Sequence, residues 1–156
     1  MKSTRLLLAL MILSVNANSG DPEIARLVGT YTYESYRLTL PNGQTGGFNM
    51  HGAIGAETEI RPDRSIIFRL FMADGREISA RATLVDAQLI GNTGFIIQKW
   101  PNMNYEVRTE IEITTTGMTY TNRFKNKHDH ARYGMVEHAV LKRAVRAKME
   151  NNQSKK

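Results

Sequence analysis

The segment YEVRTEIEITTTGMTYTNRF, residues 105–124, decides the fold class of this chain. Before Thr116-Gly117 apolar or small residues alternate with charged ones, and after this pair apolar residues alternate with polar ones. An alternation of period two predicts a strand with one buried and one solvated face. A Thr-Gly pair between two such strands predicts a tight hairpin turn. The segment therefore predicts two neighbouring antiparallel strands.

Turn-forming residues divide the rest of the chain in the same way. They recur about every ten to twenty residues, at Pro41-Asn42-Gly43, Pro62-Asp63, Asp74-Gly75, Gly91-Asn92 and Pro101-Asn102. The run 76–90 between two of these turns predicts either one bent strand or two. The predicted strands are residues 29–40, 48–60, 65–73, 76–85, 86–90, 94–100, 105–116, 118–126 and 134–144.

A short helix is predicted ahead of the strands. It begins at Asp21-Pro22-Glu23, because Asp is a good N-cap and Pro fits the first turn, and it ends before Gly29. Many short strands joined by hairpins form a closed barrel or a sandwich. We therefore predict an all-β domain over residues 20–144, an antiparallel up-and-down β-barrel of about eight strands. An open sandwich is the alternative, and only its edge strands distinguish it.

The first residues are predicted to direct export. Lys2 and Arg5 precede the uncharged run LLLALMILSV at 6–15, which is too short to span a bilayer and is typical of a signal peptide. We expect residues 1–19 to be this signal peptide, with cleavage after Ala17 or Ser19. The mature protein is then secreted, we expect into a bacterial periplasm, and has no transmembrane segment.

The positive charge is concentrated near the C-terminal end. The formal net charge is +6, and residues 142–156 contain six basic residues and one acidic residue. Residues 145–156 are predicted to form a basic, polar, disordered tail. A nucleic-acid-binding protein should present its positive charge on the folded body, so no nucleic-acid partner is expected.

Several kinds of chemistry have no matching residues. The chain has no cysteine, which excludes disulfides, cysteine zinc sites, iron–sulfur clusters and lipid attachment at a cysteine. No phosphate-binding loop or Gly-x-Ser-x-Gly motif occurs. Metal and cofactor are predicted to be absent, because no known zinc spacing is formed by the four histidines, His51, His128, His130 and His138.

The order of motifs along the chain resembles bacterial lipocalin-like domains, a family of the calycin group. The motifs that carry the resemblance are Leu27-Val28-Gly29-Thr30-Tyr31, Ser35-Tyr36, Pro41-Asn42-Gly43, Arg61-Pro62-Asp63-Arg64 and Val140-Leu141-Lys142-Arg143. The family usually has a short helix and then Gly-x-Trp, and here Tyr31 occupies the place of that tryptophan. In calycins a basic residue of the last strand packs over this aromatic ring. The resemblance thus implies that Tyr31 pairs with Arg143 or, with the register shifted by one, Lys142.

The resemblance also implies a barrel that binds a small hydrophobic molecule. An eight-stranded barrel has room for packed side chains or for one small ligand. Asn122 is expected either to provide a polar group in such a cavity or to bond the backbone in a filled core. The predicted ligand-binding residues are Tyr36, Phe68, Tyr105, Tyr120, Asn122 and Phe124.

Two other functions fit the same barrel. The first is an isomerase, cyclase or lyase with His138 or a buried carboxylate as the base and Tyr120 as the donor. His138 faces the interior only if Val136 and Val140 do, and the alternation leaves this open. The second is a periplasmic inhibitor or immunity-type protein that binds a partner through its loops.

One pair of carboxylates is predicted to lie on the outside. Glu57 and Glu59 share a strand face close to Arg61. An inward pair could carry out acid–base catalysis, but we expect both side chains to point outward, next to the arginine.

Overall fold

Eight antiparallel strands close into an up-and-down barrel in the computed structural model, which describes residues 21–144. The predicted fold class is thereby confirmed. The predicted signal peptide, 1–19, and basic tail, 145–156, lie outside the described residues. The elements are helix α1 (Pro22–Leu27) and strands β1 (Gly29–Thr39), β2 (Thr45–Gly46), β3 (Ala53–Ile60), β4 (Ser65–Met72), β5 (Glu77–Ile90), β6 (Thr93–Lys99), β7 (Glu106–Ile113), β8 (Gly117–Arg123) and β9 (Val136–Arg143).

Pairing of the first strand with the last closes the barrel. Each of β3 to β8 pairs with the next strand along the chain, and β1 pairs with both β3 and β9. The two-residue β2 adds to the end of β1 outside this cycle. Closure removes the two edges that an open sandwich would have. Within residues 21–144, no helix is long and apolar enough to cross a membrane.

The predicted contact between Tyr31 and Arg143 is confirmed at this closure. The two residues are register partners in β1 and β9. Arg143 Nη2 donates a hydrogen bond to the Tyr31 hydroxyl at 2.7 Å, and its guanidinium carbon lies 5.3 Å from the ring centroid. The hydroxyl donates in turn to the Leu27 carbonyl at 2.8 Å, and Arg143 Nη2 also donates to the Arg26 carbonyl at 2.9 Å. The closing strand pair is therefore joined to the end of α1.

Helix α1 packs against one end of the barrel and fills it. Its start is capped by Asp21, whose carboxylate accepts from the Glu23 amide at 3.0 Å, as predicted for this sequence. The side chains of Ile24 and Leu27 are buried among core residues of the strands. The Glu23 carboxylate accepts from the Leu89 amide of β5 at 3.2 Å. The opposite end of the barrel carries the loop after β6 and the loop after β8.

Two predicted strands differ in detail from those observed. Residues 48–51 form a 3₁₀ turn that ends at Gly52 with a φ of 71°, so β3 begins only at Ala53. The run 76–90 forms one strand, β5, with a register irregularity between Leu84 and Asp86. Its first half pairs with β4 and its second half with β6, so the bend turns the sheet toward closure.

The hairpin predicted at Thr116-Gly117 joins β7 to β8. The Thr114 amide donates to the Gly117 carbonyl, and the Gly117 amide donates to the Thr114 hydroxyl, both at 3.0 Å. A Cβ atom at position 117 would collide with the carbonyl oxygen of Leu141 on β9. Glycine is therefore required here by the close approach of the neighbouring strand.

Candidate functional site

An internal cavity of about 280 Å³ lies between the strands of the barrel. Its wall consists of aliphatic side chains and of six aromatic rings. The aliphatic wall residues are Ile60, Ile66, Leu70, Ile96, Ile111, Met118 and Leu141, and the aromatic ones are Tyr33, Tyr36, Phe48, Phe68, Trp100 and Tyr120. A concave apolar site with few polar groups is the usual form of a small-molecule site.

Tyr33 is the centre of the aromatic part of the wall. Its ring makes edge-on contacts with four other rings at centroid distances of 5.2–6.4 Å, those of Phe48, Phe68, Tyr120 and Tyr36. Tyr36 and Phe48 are stacked with their centroids 4.5 Å apart. Edge-on and stacked pairs of this kind are favourable beyond their buried area, so the rings hold one another in place around the cavity.

A strip of hydrogen-bonded polar side chains crosses the wall over five adjacent strands, from β6 to β1. Gln98 Nε2 donates to the Thr109 hydroxyl at 2.8 Å, and this hydroxyl donates to Asn122 Oδ1. Asn122 Nδ2 donates to one carboxylate oxygen of Glu137 at 2.9 Å, and the Tyr36 hydroxyl donates to the other at 3.2 Å. The side chain of Asn122 thus bonds other side chains of the cavity wall.

Glu137 is the final acceptor of this strip, and it forms no ion pair with a lysine or arginine among the described residues. Its side chain is the only acidic one lining the cavity within the part of the chain that the structure describes. Among the same residues, no lysine or arginine nitrogen lies within 4.0 Å of its carboxylate. Its hydrogen bonds come from an amide and a phenol, which are neutral donors.

The phenol groups of the cavity remain protonated over a wide pH range. Burial, partly offset by hydrogen bonds to Thr58 and Tyr120, raises the pKa of Tyr33 to about 12. Burial and the nearby Glu137 charge raise the pKa of Tyr36 well above its ordinary value, and burial does the same for the pKa of Tyr120. Desolvation disfavours the charged phenolate in each case, so these hydroxyls act as neutral hydrogen-bonding groups.

A second cavity, of about 420 Å³, adjoins the first at the end of the barrel opposite α1. The first is the inner cavity, or inner chamber, and the second is the outer chamber. Met103, Phe124 and Arg132 contribute to its wall. Four residues line both chambers: Phe68, Trp100, Asn122 and Glu137. The Glu137 carboxylate therefore lies where the inner chamber meets the outer one.

Four of the predicted ligand-binding residues line the inner cavity: Tyr36, Phe68, Tyr120 and Asn122. Phe124 is buried but lines the outer chamber, because β8 ends at Arg123 and the next residue begins the loop. Tyr105 lines neither chamber. It precedes β7, and its hydroxyl donates to the Asp129 carboxylate in a neighbouring loop.

His138 lies on the outside of the barrel. Its ring is exposed, and Nδ1 is 3.1 Å from the Thr121 hydroxyl. Ala139 and Leu141 of β9 are buried, so their face of the strand, which includes Glu137, points inward. His138 is therefore not in contact with the cavity, and the titratable group that β9 contributes to it is Glu137.

Sequence reasoning missed Tyr33, Phe48, Gln98, Thr109 and Glu137. A usable signal existed for two of them. Gln98 and Thr109 are polar residues on otherwise apolar strand faces, and both are buried. Buried polar groups are almost always hydrogen-bonded, so a polar residue in phase with apolar ones predicts a hydrogen-bond partner on a neighbouring strand.

The carboxylates of Glu57 and Glu59 point outward, as predicted. Arg61 Nε lies 2.8 Å from Glu59, and Arg69 bridges the two carboxylates at 2.7 and 2.9 Å. Hydrogen bonds from Arg61 and Arg69 lower the pKa of Glu59 to about 2. This cluster is an ion-pair network on the outer surface. No group of three or more metal-ligating side chains occurs among the described residues.

Comparison with known proteins finds no family model, no curated protein and no solved structure that matches this chain. The lipocalin-like resemblance of the sequence accordingly stays a prediction.

Proposed function

We propose that this protein is a lipocalin-like carrier that binds a small, largely hydrophobic molecule inside its barrel. The observation that carries the proposal is the cavity of about 280 Å³, with aliphatic and aromatic walls and a single polar strip. Ligand pockets commonly measure about 300–1,000 Å³ and combine apolar walls with a few placed polar groups. The inner cavity suits a ligand at the small end of this range, and the outer chamber offers it an entrance.

A direct test uses N-phenyl-1-naphthylamine, a neutral apolar probe whose fluorescence rises in an apolar environment. We expect saturable binding of one probe per chain. Trp100 is the only tryptophan and lines both chambers, so its emission should change in parallel with probe binding. Saturation without any change in Trp100 emission would place the probe elsewhere and contradict the proposal.

A cavity-filling variant and a matched control make the test specific. Leu70→Phe enlarges a side chain of the cavity wall on β4 and should weaken probe binding at least about tenfold. Ile54→Phe makes the same kind of change on β3, where the side chain is 75% exposed, and should leave the affinity unchanged. Native mass spectrometry of protein purified from its own host would then identify a copurified ligand.

We also propose export to the bacterial periplasm, which the charged start and the apolar run 6–15 support. Fractionation followed by mass spectrometry of the N-terminus tests it. A mature N-terminus near residue 20 in the periplasmic fraction is expected, and an intact Met1 in the cytoplasm would refute it.

A further inference from the structure

We infer that the ligand carries an organic ammonium group, which the Glu137 carboxylate and the rings beside it hold while an apolar body extends into the inner cavity. The inference rests on the proposed binding function and names its ligand class. It follows from three features of the cavity: the carboxylate, the rings and the positions of the nearest arginines.

The Glu137 carboxylate lacks a counter-charge within the described chain. Asn122 and Tyr36 each donate one hydrogen bond to it, and both donors are neutral. Glu137 is half-buried, and even a partly desolvated charge is stabilised by pairing with an opposite charge. A ligand ammonium at the junction of the chambers would supply this charge and form a charge-assisted hydrogen bond, which is stronger than a neutral one.

The rings that line the same cavity as Glu137 favour a cation and not an anion. Tyr36, Phe68, Trp100 and Tyr120 all line the cavity that the carboxylate enters. Aromatic faces attract ammonium groups most strongly when water is excluded. The raised pKa values of Tyr36 and Tyr120 keep these rings neutral, so Glu137 is the group that decides the sign of the charge at this site.

The two arginines of the outer chamber do not neutralise Glu137. Arg132 Nη1 is paired with Asp129 at 3.1 Å, and Arg81 Nη2 lies 3.8 Å from Asp63. Both arginines line only the outer chamber, whereas Glu137 also lines the inner one. An anionic ligand head would meet these arginines only at the entrance and would be repelled by the carboxylate further in.

Three ligands that share a phenethyl group test the inference: phenethylamine, 2-phenylethanol and 3-phenylpropanoate. The affinity of each for the whole chain is measured by isothermal titration calorimetry near neutral pH. We expect the ammonium to bind at least about tenfold more tightly than the alcohol, and the carboxylate to bind most weakly. Glu137→Gln keeps the shape but removes the charge, so the preference for the ammonium should disappear. Glu110→Gln, on a side chain that is 59% exposed, is the matched control and should keep the preference.

The outcomes separate this inference from the proposed function. If N-phenyl-1-naphthylamine binds but phenethylamine binds no better than 2-phenylethanol, the barrel is a carrier and the inference about charge is wrong. If neither the probe nor any of the three ligands binds, the proposed function itself fails. The comparison on the unmodified chain is decisive even if Glu137→Gln does not fold. A preference that persists in a folded Glu137→Gln variant would also overturn the inference.

Discussion

The contact between Tyr31 and Arg143 makes a sharp prediction about stability. Tyr31 is only 1% exposed. Tyr31→Phe keeps its ring but removes the hydroxyl, which donates to the Leu27 carbonyl and accepts from Arg143. A net neutral hydrogen bond contributes about 1 kcal/mol and one to a charged group about 1.5–3 kcal/mol. Because Arg143 is exposed and solvent weakens its bond, we expect Tyr31→Phe to lower the free energy of unfolding by about 2–3 kcal/mol.

The second half of the prediction concerns Arg143. Arg143→Met keeps much of the stem but loses the bonds to Tyr31 and to the Arg26 carbonyl. Because this side chain is exposed, solvent screening reduces the loss to about 1–2 kcal/mol. The double variant should lose less than the sum of the two, with a coupling energy of about 1 kcal/mol, since the bond of 2.7 Å is shared.

Urea denaturation followed by circular dichroism and by Trp100 fluorescence measures all of these free energies. Tyr133→Phe is the control, because Tyr133 is 46% exposed and its change should cost less than about 0.5 kcal/mol. Additive losses, with a coupling energy below about 0.3 kcal/mol, would refute the conclusion that this bond joins the closing strands.

Two further predictions are tested by the same urea denaturation experiment. The pKa of Glu59 is lowered from 4.5 to about 2 by hydrogen bonds from Arg61 and Arg69. Its stabilisation is therefore complete above about pH 4.5 and is lost as the pH falls through 2. Because solvent screens this surface network, the advantage of the unmodified chain over Glu59→Gln should be about 1 kcal/mol near neutral pH and should disappear below about pH 2, and a constant difference would contradict this. Leu27→Ala removes a fully buried side chain of α1 and should lower the free energy of unfolding by about 2–5 kcal/mol. Its control is Ile90→Ala, at an 88% exposed position, which should lower it by less than about 0.5 kcal/mol. Equal losses would show that α1 does not contribute to the core.

The barrel could be predicted from the sequence because most of its strands have one solvent-exposed face and one buried face. The alternation along β7 and β8 shows directly which side chains are buried, and the turn residues separate one strand from the next. The pair Tyr31 and Arg143 could be predicted as well, because the lipocalin-like resemblance implies this pair and because the first and last strands of an up-and-down barrel must meet. The strands depend on local periodicity and their order on topology, and both can be deduced from a single sequence.

The polar part of the cavity could not be predicted because β9 is apolar on both faces. Val136 and Val140 lie on one face of the strand and Ala139 and Leu141 on the other, so the pattern does not determine which face is inward. A change of phase by one residue exchanges every side chain between the two faces. Here it replaces the predicted His138 by Glu137, and only the pairing of β9 with its neighbours decides between them.

Residues just beyond the ends of strands lie away from the inner cavity for a related reason. Alternation predicts directions only while the chain remains extended. Tyr105 lies before the start of β7 and turns toward Asp129, and Phe124 follows the end of β8. Phe48 enters the cavity wall from a 3₁₀ turn, for which the sequence has no period-two pattern.

The closure of the barrel also has a consequence for how the chain folds. Tyr31 and Arg143 are 112 residues apart, and β1 pairs with β9 from Tyr31 to Thr39, apart from a bulge between Tyr33 and Ser35. Most other strand pairs are neighbouring hairpins that can form early, whereas this one requires a loop that encloses nearly the entire domain. Until β9 is also available to pair, one side of β1 stays unpaired. During that interval it is an open template for other chains, so the last strand to emerge is the one that ends the risk of aggregation.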